Sequence, residues 1–197
     1  TLLNRVKAVI IGTVNQVNAT FSFEGNLDEK GRLMNPSLGG GALLDVGIYP
    51  LTYADLFGTL EGNIDAAYQR ASTGIDLWNK IEIHAPAFHA TLESGFLEDK
   101  PRHATIIGTK GRIEVPLFWA AEEEFIYDLK GDLIEHLSIP HAVNGFEYEI
   151  QAVIDNLEAN QKENKVMPPA KTLEMLNVMD DLRARWNVVY PGEKITS

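Results

Sequence analysis

The sequence predicts an α+β fold, with one large, predominantly antiparallel open sheet and helices packed on one face. Three observations predict it. Residues 62–140 divide into short runs at 64–70, 77–84, 88–96, 103–108, 111–116, 124–129 and 133–139, each read as a strand. Two turns between them, Gly108-Thr-Lys-Gly111 and Lys130-Gly131-Asp132, are tight and carry glycines suited to positive φ, so the strands they join are antiparallel. Helical spacing appears only outside this region, toward the two ends of the chain.

Taken in order, residues 2–11 are apolar at Leu2, Leu3, Val6, Val9 and Ile10, the spacing of a helix. After Gly12 the period changes. Val17, Ala19, Phe21 and Phe23 alternate with Asn18, Thr20 and Ser22, a half-buried strand. Residues 24–41 are polar and glycine-rich, a long surface loop of the kind that often carries function. Residues 42–57 fit a helix closed by Gly58. Pro50 lies inside it and demands a late start or a bend. After the strands come helices at about 144–160 and 170–186, separated by Pro168-Pro169, and Gly192 marks a loose tail. In strand 111–116, Arg112 and Glu114 alternate with Ile113 and Val115, whereas 125–129 is more apolar on both sides. The sheet face without helices is therefore expected to be buried in a homo-oligomer.

Composition removes several function classes. The chain has 197 residues, with 28 acidic against 17 basic and a net charge of −11. A phosphate-backbone binder needs a basic face, so nucleic acid is not the expected partner. There is no cysteine, which removes disulfides, thiolate metal sites and thiol nucleophiles, and a cytoplasmic protein is the natural reading. No apolar run approaches the ~20 residues that span a bilayer, so no membrane partner is expected. The chain opens Thr-Leu-Leu-Asn-Arg without an initiator methionine, and we read it as a piece of a longer protein or a processed start.

The densest signal is Gly39-Gly-Gly-Ala-Leu-Leu-Asp45-Val-Gly-Ile-Tyr49. Successive glycines let a backbone come close to a ligand or another chain, or simply form a turn before a helix. Asp45 and Tyr49 are four apart, which on a helix puts them on one face with Cβ atoms roughly 5–6 Å apart. A carboxylate beside a phenol can orient a substrate hydroxyl and move its proton. Equally, Asp45 can complement the helix dipole and Tyr49 can pack. Arg32 and Trp119 are further candidates for lining such a site, with surface charge and aromatic packing as the plainer roles. The five histidines show no metal signature: there is no H-E-x-x-H, and His84 and His89, five apart, are expected on opposite strand faces. No metal site is expected. Glu122-Glu123-Glu124 reads as a solvated charge run. The chain holds no G-x-S-x-G, no P-loop and no G-x-G-x-x-G, since the sole G-x-G, Gly39 to Gly41, has Leu44 where the third glycine belongs.

The run Gly31-Arg-Leu-Met-Asn-Pro-Ser-Leu-Gly-Gly-Gly-Ala-Leu-Leu-Asp-Val-Gly-Ile-Tyr-Pro-Leu resembles the substrate-domain signature of the Gfo/Idh/MocA oxidoreductase family. It is most similar to the branch of the dimeric dihydrodiol dehydrogenases and glucose–fructose oxidoreductase. Ile106-Ile-Gly-Thr-Lys-Gly-Arg-Ile-Glu-Val-Pro, Asn144-Gly-Phe-Glu-Tyr-Glu-Ile and the closing Asp181-Leu-Arg-Ala-Arg-Trp…Tyr-Pro-Gly-Glu are similar to further family stretches, in the same order.

The resemblance implies a two-domain enzyme in which an N-terminal Rossmann domain binds NAD or NADP. Residues 14–197 are then the C-terminal α+β domain for substrate binding and oligomerisation, and residues 1–13 are a linker remnant. It implies that Asp45 and Tyr49 stand as a D-x-x-x-Y pair facing the nicotinamide, in place of the D-x-x-x-H of the inositol dehydrogenases. Gly40 and Gly41 would approach the cofactor, and Arg32 and Trp119 the substrate. The family's other key residue, a lysine in an E-K-P motif, has no counterpart here. The implied activity is hydride transfer between a nicotinamide and a sugar, polyol or diol hydroxyl, in which Tyr49 exchanges the hydroxyl proton. An unperturbed tyrosine titrates near ~10, so Tyr49 needs a positive partner, and Asp45 more naturally orients a lysine or a substrate hydroxyl. The other reading is a non-catalytic, sugar-responsive binding or assembly module.

Overall fold

The computed structural model describes residues 10–193. The helix expected over 2–11, and with it most of the 1–13 linker, lies outside the described residues. Eight strands follow in the expected order: β1 Val14–Ser22, β2 Asn63–Arg70, β3 Asp76–His84, β4 His89–Gly95, β5 His103–Gly108, β6 Gly111–Pro116, β7 Glu123–Asp128 and β8 Leu133–Ser138. Three α-helices accompany them: α1 Ile48–Asp55, α2 Phe146–Glu158 and α3 Pro169–Trp186.

All eight strands form one sheet in the order β2-β3-β4-β1-β5-β6-β7-β8. Two locally connected units meet at its centre. The β2–β4 unit and the β5–β8 meander are antiparallel throughout, as short turns require. Strand β1 is wedged between them, antiparallel to β5 and parallel to β4, from Gln16 beside His89 to Ser22 beside Gly95. That single parallel pair is what the turn-based reading could not contain, because its partners are some 70 residues apart. His84 and His89 are also placed differently from the expectation. They end two different strands of one hairpin, pair directly across it and stack at 4.5 Å, since a turn rather than continuous strand separates them.

One face of the sheet holds the core. Val17, Ile81, Ile83, Leu92, Ile106, Ile113 and Ile126 point to it and meet Leu51 and Ala54 of α1 and Met175, Met179, Leu182 and Trp186 of α3. The α3 positions recur every three to four residues, so one stripe of that helix is buried while the rest stays solvated. Pro169 at its first position and left-handed Asn187 just past its end (φ 53°) fix its limits. Helix α2 behaves differently. It buries no residue, and Phe146, Ile150, Val153, Ile154 and Leu157 form an exposed apolar stripe.

Among the described residues, no helix covers the opposite face of the sheet, which is polar. Lys80 pairs with Glu82, Arg112 with Glu114, and the Trp78 indole donates to Glu93, which also holds Lys100. The rings on this face are tied into the same polar pattern, with Arg112 lying 4.1 Å over Tyr127 and His136 stacked on Phe125. The apolar run at 125–129 resolves into alternation: Ile126 is buried in the core, while Phe125 and Tyr127 share the outer face with polar neighbours. Glu122–Glu124 is likewise not a free charge run. Glu122 accepts the backbone N–H of His141, and Glu123 is held by Ser138 and His136.

Candidate active site

The loop at 24–41 is built rather than slack. Asn35 accepts the Ser37 N–H at 2.8 Å and starts a short 3₁₀ turn, Pro36–Leu38, which left-handed Gly39 ends (φ 73°). The chain then doubles back, with the N–H of Gly40 donating to Asn35 O and that of Gly41 to Leu33 O, each at 3.0 Å. Gly40 and Gly41 are buried. A Cβ on Gly40 would lie 2.7 Å from the Leu33 carbonyl and 2.9 Å from that of Arg32. The close approach that the triple glycine signals is, among the described residues, made to the chain itself.

Beyond the glycines, residues Leu43–Gly47 form a π turn before α1 begins at Ile48. The run is helical from Ala42 onward, so the irregularity that Pro50 demands is this wider turn just before it, not a late start. The wider turn carries Asp45, and π turns of this kind often accompany functional sites. Arg32 reaches back across the loop and grips Asp45 with both nitrogens, Nη1 to Oδ1 at 2.7 Å and Nη2 to Oδ2 at 3.1 Å. Asp45 raises the Arg32 guanidinium above its usual value, by hydrogen bonding first and by charge second. With Arg32's side chain 58% exposed, such a pair contributes little to stability, and its effect is positional.

Tyr49 lies in the first turn of α1 and remains 44% exposed. Its ring stacks on Phe21 of β1 at 4.9 Å. Trp119 meets the same Phe21 at 6.3 Å, and Phe118 closes the group from the core side. Between them opens a cleft of about 310 Å³ lined by Ile48, Tyr49, Thr52, Tyr53, Leu56, Phe118 and Trp119. Burial, with Glu124 adding repulsion, pushes the Tyr53 phenol up and keeps it protonated. Glu124 is itself raised by burial, and its Oε2 is buried without a partner. The cleft is thus walled largely by aromatic rings.

Four of the residues singled out in the sequence therefore form two adjoining pieces, Arg32 with Asp45 and Tyr49 with Trp119. Phe21, Tyr53 and Phe118 were missed. Tyr53 was findable, being one helical turn from Tyr49. Phe118 was not, because Leu117 and Ala121 on either side of it adopt left-handed φ values of 46° and 52°, which no residue type there signals. Among the described residues, no group of three or more His, Asp or Glu is placed to hold a metal ion. None of the helices described is long and apolar enough to cross a membrane.

The described residues thus form an α+β domain with an open sheet, in which a glycine-led turn presents an aspartate and a tyrosine beside an aromatic cleft. Residues 1–114 match the family described as GFO/IDH/MocA C-terminal domain, and the chain belongs to that family. It is 28% identical over 192 residues to trans-1,2-dihydrobenzene-1,2-diol dehydrogenase of Xenopus tropicalis, covering 92% of this chain. It is 24% identical over 190 residues to scyllo-inositol 2-dehydrogenase (NADP(+)) IolU of Bacillus subtilis, covering 93% of this chain. The chain spans 57% and 58% of the lengths of these two relatives. Among solved structures, an aldose–aldose oxidoreductase from Caulobacter crescentus, complexed with glycerol, superimposes with a TM-score of 0.78 at 19% identity, over 94% of this chain and 57% of that one. That likeness confirms the fold.

Proposed function

We propose that this chain is the substrate-facing part of an NAD(P)-dependent oxidoreductase, transferring hydride between a nicotinamide and a hydroxyl-bearing carbon of a sugar, polyol or diol. The observation that carries the reading is Tyr49: a half-exposed phenol, ring-stacked on Phe21, at the mouth of an aromatic cleft and one turn from the Asp45–Arg32 pair. The names of the relatives support it, since they act on ring diols and inositol. Aromatic walls suit the C–H faces of such rings, and the cleft's volume lies at the lower end of ordinary ligand pockets.

The residues present fit one end of the cofactor. The exposed phenol suits the reacting end, while the chain lacks a G-x-G-x-x-G and its glycine loop is closed on itself, so the phosphates are held elsewhere. When bound, the nicotinamide supplies the hydride chemistry. In alcohol oxidation Tyr49 accepts the hydroxyl proton at its oxygen, and in carbonyl reduction it donates one. Arg32 holds Asp45 as a fixed carboxylate at the site's edge, where it orients a substrate hydroxyl. Trp119 covers the cleft and limits water entry.

A nucleotide-binding domain completes the enzyme in this reading, and the exposed apolar stripe of α2 supports the presence of a further packed partner. A cytoplasmic location and self-association through the uncovered sheet face belong to the same reading. Because that face is polar and ion-paired, its interface would be wet and salt-sensitive. Sedimentation at micromolar concentration is expected to show a dimer that weakens as salt is raised, and a monomer at all salt concentrations would remove this part. The decisive experiment is fluorescence titration with NADH and NADPH beside an activity screen over sugars, polyols and diols. The chain alone is expected to show neither micromolar binding nor turnover, and the protein joined to its nucleotide-binding domain to show both. Micromolar binding by this chain alone would overturn the domain assignment, and an inactive complete protein would favour a non-catalytic binding module.

A further inference from the structure

We infer that Tyr190 and Asp76 are positioning residues for the site: together they set the conformation of residues 40–43 and, through it, the place of Asp45. Neither residue lies in the cleft. Tyr190 comes from the segment after α3, and its hydroxyl donates to the Gly40 carbonyl at 2.5 Å. Asp76 opens β3 and is 1% exposed. Its Oδ2 accepts the Leu43 backbone N–H at 2.8 Å and the Asn79 amide at 3.0 Å, and Ser94 in turn donates to Asn79 at 2.9 Å. One tie holds the carbonyl before Gly41, the other the N–H after Ala42.

Both groups converge on Gly41. A Cβ there would lie 2.8 Å from Asp76 Oδ1 and 2.9 Å from the Tyr190 hydroxyl, and its φ of 122° is left-handed. The Gly41 carbonyl then accepts the Asp45 N–H at 3.3 Å, the contact that leads into the π turn. A shift at Gly41 therefore moves Asp45 and its grip on Arg32. The support is itself braced. Arg183 lies 4.6 Å over the Tyr190 ring and pairs with Asp180 and Glu193, and Glu193 accepts the Tyr190 N–H at 2.8 Å. Burial, with Asp76 nearby, pushes the Tyr190 phenol up to about 12, so it remains a donor throughout the working pH range. The arrangement tolerates a buried, unpartnered Asp76 Oδ1, a costly feature that packing alone would not retain.

The positional claim needs no assumption about the reaction, while its effect on turnover rests on the function proposed above. Amide hydrogen exchange on this chain therefore tests the claim without any activity assay. Tyr190→Phe keeps the ring and removes only the donor, and exchange at residues 41–45 is expected to rise about 5-fold, as for loss of one hydrogen bond. Asp76→Ala is expected to raise it about 10-fold or more, because the Leu43 N–H is left buried and unpaired. Asp76→Asn, whose amide oxygen can accept the same two donors, is expected to stay within 2-fold of wild type. Exchange in β4 and α3 is expected to stay unchanged in Tyr190→Phe, and the ¹³C-detected titration of the Asp45 carboxyl to move in Tyr190→Phe and Asp76→Ala but not in Asp76→Asn. Unchanged exchange at 41–45, an increase shared equally by β4 and α3, or an unmoved Asp45 titration would each overturn the inference.

Discussion

Tyr49→Phe in the complete protein is expected to lower kcat by about 10²–10⁴, the usual contribution of a general acid–base group. The substitution retains the ring that stacks on Phe21 at 4.9 Å, so folding and the cleft should be preserved while the proton-exchanging oxygen is lost. Cofactor affinity should hardly change, because no described contact of Tyr49 contributes to a phosphate site. Asp45→Asn is expected to slow turnover in a different way. It replaces the carboxylate that Arg32 grips with two hydrogen bonds by a neutral amide and leaves the Arg32 charge without its counter-ion, so the pH profile should shift as well. Steady-state kinetics with single-turnover controls provide the check. A Tyr49→Phe enzyme that keeps more than about a third of wild-type kcat, with chemistry rate-limiting, would reduce Tyr49 to a packing residue.

Trp186→Ala is expected to produce the largest loss of stability, about 3–5 kcal/mol, as for other large-to-small core replacements. Trp186 is 5% exposed and stacks on Tyr68 of β2 at 4.8 Å. Its carbonyl also accepts from the Tyr68 hydroxyl at 2.9 Å and from Arg70 at 3.0 Å, so the end of α3 is fastened to the sheet edge at one point. Its loss would leave a cavity and loosen the segment that carries Tyr190 beneath the glycine loop. Urea unfolding followed by far-UV circular dichroism gives the magnitude. A loss below about 1 kcal/mol would show that α3 is held by Met175, Met179 and Leu182 without it.

Much of the secondary structure was legible for a local reason. Strands β5 and β6 coincide with the segments read from the sequence, because alternation and the glycines of the intervening turn lie within a few residues of one another. The limits of α3 were legible through its proline start. The stripe of α2 was legible as a helix, but not its lack of a partner among the described residues, since periodicity reports which side is apolar and not what covers it. The polar neighbours of the rings on the outer sheet face were not legible for a related reason. Phe125 and Tyr127 count as apolar in a pattern, yet in place they lie against His136 and Arg112.

The candidate site divides in the same way. Asp45 and Tyr49 stood out because four-residue spacing is a property of one short segment. Arg32 and Trp119 stand in the sequence only as further candidates for lining such a site, and what brings Trp119 toward Tyr49 is Phe21, which approaches from a distant strand. By itself the sequence determined the strands joined by tight turns, the helix limits, the acid–phenol motif and the family resemblance, all carried by residues close together along the chain. Only the tertiary structure decided the parallel insertion of β1, the closing of Gly40 and Gly41 on their own chain, the Arg32–Asp45 grip and the aromatic cleft. Each of these depends on contacts between residues far apart in sequence, and their geometry exists only once the sheet and its helices have packed.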